Sequence, residues 1–284
     1  MTPSAFDYVR PGTLPEALAA LSRYGDSAKL IAGGHSLLPM MKLRMAAPQV
    51  LIDINELADL HGILIGRSEV VVGAATTHAI LEHHKDLAAV LPLLAAVAHQ
   101  IADPTVRNRG TIGGSLAHAD PSADWPAAVL ALDAVIDVIG SRGKRTIAAR
   151  DFFKGLFETS LASDEVIVAV RAPIMADARA AYRKFRHPAS GYAVAGIAVV
   201  ASVVRSECKE VRIAATGLAD HQFRVLAAEA VLKGKSVKAE DIDKAVADAF
   251  TGVSVLEDRF ADARYRLQLG RTMLRRALSD VFAS

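Results

Sequence analysis

The sequence predicts an α+β protein, and three observations carry that reading. Apolar residues make up 52% of the 284 positions while aromatics are only 5%, so the core is built from Ala, Val, Leu and Ile and is large enough for two ordinary domains. Through about residue 175, short apolar runs alternate with segments of helical periodicity. Beyond it, three β-type runs precede three helical stretches, an order typical of α+β rather than alternating α/β architecture.

Taken in order, Pro11-Gly12 marks a turn, and Thr13 is the expected N-cap of a helix with Pro15 and Glu16 in its first turn. Ala17, Leu18 and Leu21 give it an apolar stripe, and Gly25 ends it. Residues 29–32 form a short strand that runs into Gly33-Gly34. Residues 37–44 read as helical or turn-like, and 50–54 as a second strand. A second unit opens with a hairpin, 62–65 and 70–74, across Gly66-Arg67-Ser68-Glu69. Thr76-Thr77 start a helix through 84, and an apolar helix spans 87–101. Then come a polar loop (103–110), Gly113-Gly114, a helix over 122–132, a hairpin (134–139 with 144–147) and a strand over 166–172 closed by Pro173. The predicted domains are therefore 1–175, with subdomains 1–57 and 58–175, and 176–284. The latter holds strands at 181–185, 192–205 and 211–217 and helices at 223–234, 239–250 and 262–282.

Charge excludes some functions. With a net charge of +2 there is no electrostatic case for nucleic-acid binding. Arg264, Arg266, Arg271, Arg275 and Arg276 read as one solvated or partner-facing helix surface. The single cysteine, Cys208, rules out an internal disulfide and a cysteine-ligated Fe–S cluster in this chain, and suits a reducing, cytoplasmic setting. It lies in a polar stretch read as a turn, not as a catalytic thiol. The start lacks the basic-then-apolar order of a leader, no apolar run makes a convincing membrane span, and the nine histidines form no metal-binding spacing.

Two stretches stand out: Ala32-Gly33-Gly34-His35-Ser36 and Thr111-Ile112-Gly113-Gly114-Ser115. One Gly-Gly is a turn. Two, each beside hydroxyl residues, read as two loops closing on one ligand. Glycine lets backbone N–H groups approach an anion, and successive N–H groups form a concave anion site, here expected to hold a diphosphate. Ser36, Thr111 and Ser115 add hydroxyl donors or cap adjacent helices, and the two roles are compatible. Neither loop has the Gly-x-Gly-x-x-Gly dinucleotide pattern, and there is no P-loop. His35 reads as positioned by its loop rather than catalytic, Asp103 and Asp120 as turn formers before proline, and Trp125 as a packing anchor. Arg107 and Arg109 read as solvated, or as approaching phosphate or a neighbouring subunit.

Residues 30–44 and 101–115, continued by Ala117-His118-Ala119-Asp120-Pro121-Ser122-Ala123-Asp124-Trp125-Pro126, resemble the FAD-diphosphate loops of the medium subunits of molybdenum hydroxylases, the carbon monoxide dehydrogenase and xanthine dehydrogenase family. The resemblance spans essentially the whole chain. It implies an FAD-binding fold of the vanillyl-alcohol-oxidase or p-cresol-methylhydroxylase type, made of two α/β subdomains, followed by a three-stranded antiparallel sheet with a helical bundle. It implies that 32–36 and 111–115 clasp the FAD diphosphate, with Ser115 standing where many relatives carry Asn. Asp124 matches an acid that binds FAD hydroxyls, Lys184 a lysine at the flavin, and Tyr192 an aromatic near the isoalloxazine. Read without the resemblance, these three are an exposed helix-start acid, a strand-face lysine and a packed strand residue. The family pattern places no catalytic residue and no metal in this chain. Molybdopterin belongs to a large partner subunit and the [2Fe–2S] clusters to a small one, in a dimer of heterotrimers that passes electrons through this FAD to an outer acceptor. The branch resemblance points to a carbon monoxide dehydrogenase medium subunit. Two alternatives stay open: a self-sufficient FAD reductase of the same fold, and a non-enzymatic nucleotide-binding module.

Overall fold

The computed structural model describes residues 2–175 and 177–283. The chain start at Met1, the domain boundary drawn at Ala176 and the chain end at Ser284 fall outside the described residues. The fold is mixed α+β, with three main sheets.

The first unit comprises β1 (Asp7–Val9), α1 (Leu14–Tyr24), β2 (Ala28–Ile31), α2 (Leu37–Lys42) and β3 (Val50–Asp53), with a parallel sheet in the order β1-β3-β2. Thr13 caps α1 by accepting from the Glu16 N–H, and the Glu16 carboxylate accepts from the Gly12 N–H at 2.7 Å. Leu14, Ala17 and Leu21 bury the apolar stripe against the sheet. The three-residue β1 was not legible as a strand.

The second unit opens with β4 (Ile63–Ile65) and β5 (Glu69–Gly73). Five helices follow: α3 (His78–His83), α4 (Lys85–Val90), α5 (Pro92–Gln100), α6 (Pro104–Arg107) and α7 (Ile112–His118). Then come α8 (Asp124–Ala131), β6 (Val135–Gly140), β7 (Gly143–Ala148), a small hairpin of β8 (Phe153–Gly155) and β9 (Glu158–Thr159), and β10 (Val166–Pro173). The five-stranded sheet has the order β4-β5-β10-β6-β7, antiparallel throughout. The apolar helix expected over 87–101 is two helices. Leu91 leaves helical geometry (φ −131°, ψ 72°) and Pro92, which has no N–H, starts the next one. The polar loop contains α6, capped by the Asp103 carboxylate on the Val106 N–H at 3.0 Å.

The last unit comprises β11 (Ala178–Arg186), β12 (Ala193–Val204), β13 (Glu207–Thr216), β14 (Phe223–Arg224), α9 (Leu226–Leu232), α10 (Ala239–Ala247) and α11 (Ala263–Phe282). Its antiparallel sheet has four strands in chain order, not three. The fourth takes the first residues of the helix expected from 223, because Phe223 and Arg224 pair with Ala215 and Ala214 and the Val225 N–H reaches Ile213 O at 2.8 Å. Both faces of this sheet are covered. Tyr182, Ala198, Val200 and Ala214 join the core around α5 and α8, while Ile197, Val199, Ala201, Ile213 and Ala215 join the core of α9–α11. That is why β12 reads as an unbroken apolar run.

Two expectations are corrected here. Cys208 is not in the turn. Arg205 and Ser206 (φ 51° and 65°) form the hairpin tip, so the strand resumes at Glu207 and Cys208 is fully buried, its thiol pushed up to about 11 by burial. Nor is the late arginine cluster one solvated face. Arg266 is buried and donates to Val194 O and Gly217 O, both at 2.8 Å, and to the Asp258 carboxylate at 2.6 Å. No helix among the described residues is long and apolar enough to cross a membrane, and no group of three or more His, Cys, Asp or Glu there could hold a metal ion.

Candidate functional site

The first glycine loop begins where a parallel ladder ends. The Ile54 N–H bonds Ile31 O at 3.0 Å, and from Ala32 the chain leaves the sheet. Gly34 turns it at φ +74°, a conformation that favours glycine, and Gly34 O then accepts the Leu38 N–H at 3.0 Å to start α2. Among the described residues, the backbone N–H groups of Gly33, Gly34, His35 and Ser36 have no protein acceptor. Ala32 is half-buried, His35 is exposed, and Ser36 makes no side-chain capping bond on α2.

The second loop is built differently. Residues 110–113 run antiparallel to 74–78: the His78 N–H bonds Gly110 O at 2.9 Å, the Ile112 N–H bonds Thr76 O at 3.1 Å, and the Gly113 N–H bonds Ala74 O at 2.8 Å. Thr111 Oγ1 accepts the Gly114 N–H at 3.1 Å and Thr111 O the Ser115 N–H at 3.0 Å. The N–H groups of 112–115 therefore already have partners. Ile112 and Gly113 are buried, Gly113 because a Cβ there would lie 2.6 Å from the Ala74 Cβ. Gly114 is exposed and Ser115 half-buried. Unpaired backbone donors thus sit on the first loop, and the second presents the open flank of Gly114 and the Ser115 hydroxyl.

The two loops touch. A Cβ on Gly33 would lie 2.3 Å from Arg109 O and 2.8 Å from the Gly110 Cα, so backbone packs on backbone across this seam. The C-terminal unit closes on the same place, where the Ser36 side chain lies beside the Tyr192 phenol. Burial raises the phenol's pKa, the nearby Asp120 carboxylate raises it further, and the Ser36 side chain works to lower it. Asp120, half-buried, has its own carboxyl raised by burial against a hydrogen bond from the Ser122 N–H at 2.8 Å. It is more than the turn former the sequence suggested.

Asp124 and Lys184 meet in one buried ion pair. Lys184 Nζ lies 2.8 Å from Asp124 Oδ2 and 3.2 Å from Gln100 O, and the Tyr182 hydroxyl donates to Asp124 Oδ1. An acceptor role at both oxygens fits an ionised carboxylate. Burial nevertheless pushes the carboxyl up and the ammonium down, and the pairing opposes both shifts. So Asp124 is not an exposed helix-start acid, and Lys184 is not a lysine in water: their side chains are 5% and 1% exposed. The same geometry removes Arg107 from the phosphate-approaching candidates. Its guanidinium is taken by the Glu82 carboxylate at 2.7 Å and by Ile101 O at 2.9 Å, whereas Arg109 is exposed.

His78, which no motif or spacing in the sequence marks, lies under the seam. It is 5% exposed, and its Nδ1 accepts from the Trp125 indole N–H at 3.0 Å. Burial first, then His35 and Arg107, lower its pKa to about 3. Between the ordinary value near 6.5 and that of the folded chain, the unfolded chain binds the extra proton. This contribution to stability is therefore complete above pH 6.5 and declines as pH falls toward 3. Urea titrations from pH 7 to 4 should show a His78→Gln variant losing less stability with acid than the parent, by about 1.4 kcal/mol per pH unit. Parallel curves would refute the neutral buried imidazole.

The assembly can hold a nucleotide diphosphate: free N–H donors and hydroxyls on two touching loops, with an aromatic and a buried cation–carboxylate pair beside them. A cavity of about 480 Å³ elsewhere, lined by Arg142, Lys144, Arg145 and Glu165 among others, includes none of the candidate residues.

Comparison with known proteins gives two family matches, the FAD binding domain in molybdopterin dehydrogenase over residues 4–175 and the CO dehydrogenase flavoprotein C-terminal domain over residues 180–281. The chain is 42% identical to the carbon monoxide dehydrogenase medium chain of Hydrogenophaga pseudoflava over 284 residues, 100% of this chain and 99% of that one. It is 38% identical to the nicotine 6-hydroxylase medium subunit of Paenarthrobacter nicotinovorans, covering 98% of each. Among solved structures, carbon monoxide dehydrogenase from Hydrogenophaga pseudoflava superposes with a TM-score of 0.97 at 43% identity, covering 100% of this chain and 99% of that chain.

Proposed function

The chain belongs to the FAD-binding medium subunits of the molybdenum hydroxylase family, and from that premise we propose how it holds and serves its flavin. It is an oxidoreductase subunit whose own cofactor is FAD, and in such enzymes the molybdenum cofactor lies in other subunits. FAD held here would supply the redox centre between the [2Fe–2S] clusters of a partner subunit and an external electron acceptor. A non-enzymatic nucleotide module no longer fits, since the relatives are subunits of oxidoreductases.

In our reading, residues 32–36 and 111–115 flank the diphosphate, the first loop by its four unpaired N–H groups and the second by Ser115 Oγ and the open side of Gly114. Tyr192 stands beside the flavin ring, oriented by Ser36. Lys184 brings positive charge to the flavin and Asp124 a carboxylate to its hydroxyls, each held in place by the other. No side chain here performs acid–base chemistry on the hydroxylated substrate. The chain's work is binding, orientation and electrostatic tuning. The layout is that of the vanillyl-alcohol-oxidase or p-cresol-methylhydroxylase fold, with subdomains 1–57 and 58–175 and a C-terminal domain from 176 to 284. The assembly is a cytoplasmic dimer of heterotrimers with a large molybdopterin subunit and a small [2Fe–2S] subunit. The strong match to carbon monoxide dehydrogenase medium chains favours carbon monoxide as the substrate of the whole enzyme, read by the large subunit.

The observation that carries this reading is the row of unpaired N–H groups on the first loop, which packs backbone to backbone on the second at Gly33. Purified chain reconstituted with FAD should show flavin absorption near ~450 nm that dithionite bleaches. A chain that shows neither would end the reading. Co-purification from the native cell should bring down a molybdopterin subunit and a cysteine-rich one. Turnover by the isolated chain with a reduced nicotinamide would instead favour the self-sufficient reductase.

A further inference from the structure

We propose that His78 and Trp125 are positioning residues for the bound flavin nucleotide: the imidazole, held in one tautomer by the indole, props Gly110 against Gly33 and so sets the gap between the two glycine loops. This rests on the two-loop reading above.

Four layers are stacked at the seam. Gly33 packs on the Arg109–Gly110 backbone, where even a Cβ has no room. Gly110 packs on the imidazole: a Cβ there would lie 2.6 Å from His78 Nε2 and 2.9 Å from its Cδ2. The His78 N–H also bonds Gly110 O at 2.9 Å, so backbone and ring of one residue hold the same peptide. Beneath the ring lies Trp125, fully buried, its indole N–H on His78 Nδ1 at 3.0 Å and the ring centroids 5.8 Å apart.

The chemistry of the ring follows. Because Nδ1 accepts, a neutral imidazole carries its proton on Nε2, the nitrogen that faces Gly110. The basic groups around it are His35 from the first loop and Arg107 from α6. Glu82, on the ring's own helix, is engaged by Arg107 and His99. Two basic neighbours and burial oppose an imidazolium. Nε2 is thus the ring nitrogen turned toward the Gly110 backbone, while Nδ1 is occupied by the indole. Packing alone would need only an apolar ring of this size. A polar ring with one nitrogen tied to the indole and the other turned to the seam points to orientation.

The test uses the full chain and FAD. Trp125 is the only tryptophan, so its emission, quenched as flavin binds nearby, reports FAD binding directly. His78→Leu removes both ring nitrogens and should bind FAD roughly tenfold to hundredfold more weakly. His78→Asn keeps an acceptor where Nδ1 stood and should recover most of that loss, which a purely space-filling role would not produce. Wild-type affinity in His78→Leu overturns the inference and leaves the two-loop reading intact. Should His78→Leu not fold, Trp125→Phe decides, with flavin fluorescence as the readout: it keeps an aromatic ring and removes the indole N–H that fixes the tautomer. Weakened FAD binding supports the inference and wild-type binding overturns it. A wild-type chain that does not bind FAD would remove the two-loop reading itself.

Discussion

Replacing Gly33 with valine should strip the chain of FAD while the C-terminal unit stays folded. The Cβ of any residue at this position would sit 2.3 Å from Arg109 O, 2.8 Å from the Arg109 carbonyl carbon and 2.8 Å from the Gly110 Cα. These are backbone atoms and cannot rotate away. Relief requires the loops to part, at an overpacking cost of about 1–3 kcal/mol or more, and parted loops cannot share one diphosphate. Two neighbouring glycines make useful controls. At Gly34 the obstacle is conformational, φ +74°, with the flexible side chains of Leu38 at 3.0 Å and Ile31 at 3.4 Å in the way, so alanine there strains the turn without prising the loops apart. At Gly114 the residue is exposed and a Cβ meets only Thr111 Oγ1, at 2.8 Å, so alanine presses on the hydroxyl that caps α7 and leaves the Gly33 seam untouched. The C-terminal core, built from β12, β13 and α9–α11 residues, contains nothing from either loop. The ratio of flavin to protein absorbance, read with a thermal melt, checks this. Full flavin occupancy in Gly33→Val would mean that the seam does not set the site.

The glycine pairs were legible because glycine beside glycine has few reasons to occur except a close approach, and two such places with hydroxyl neighbours narrow the reasons further. What the sequence concealed is how the work is divided. Nothing local says that the N–H groups of 112–115 are taken by Ala74, Thr76 and Thr111 while those of 33–36 are free. That depends on Thr77 and Thr111, 34 positions apart, pairing in an isolated bridge. His78 was invisible for the same reason. A histidine at the first position of a short helix carries no periodic signal, and its importance comes from Trp125, 47 residues on. Asp120 reads as a turn former because it precedes Pro121, and it does accept from the Ser122 N–H, but tertiary packing also sets it near Tyr192. The α+β class and the long strands were readable from apolar runs. The two-residue β14 was not, because it exists only by pairing with Ala214 and Ala215.

Removing the Lys184 ammonium should be among the most damaging single changes, and its damage should grow with pH. Lys184→Met keeps the length of the side chain and its apolar stem but leaves the Asp124 carboxylate buried with only the Tyr182 hydroxyl as a close donor. Breaking a buried pair in this way typically costs about 3–5 kcal/mol, whereas replacing both partners by neutral groups costs much less. The sign follows from linkage. Burial already raises the Asp124 carboxyl above 3.8, and Lys184 is the main influence lowering it. Without Lys184 the folded-state value rises further, so between 3.8 and that value the folded chain binds more protons than the unfolded one. The variant is least harmed below pH 3.8, where both states are protonated, and loses stability relative to the parent as pH rises through the folded-state value. Melting curves of parent and Lys184→Met at pH 5 and pH 8 should therefore show the larger gap at pH 8. The double variant Asp124→Asn with Lys184→Met should melt above Lys184→Met at pH 8, because no charge is left unpaired in the core. A gap that does not change with pH, or a double variant less stable than Lys184→Met, would show that Lys184 contributes packing rather than charge. Flavin content measured on the same samples then separates the two roles assigned to this pair. If the pair acts through charge, the double variant regains stability whether or not the pair serves the cofactor, but only a pair that also serves the cofactor leaves it stable and poor in FAD.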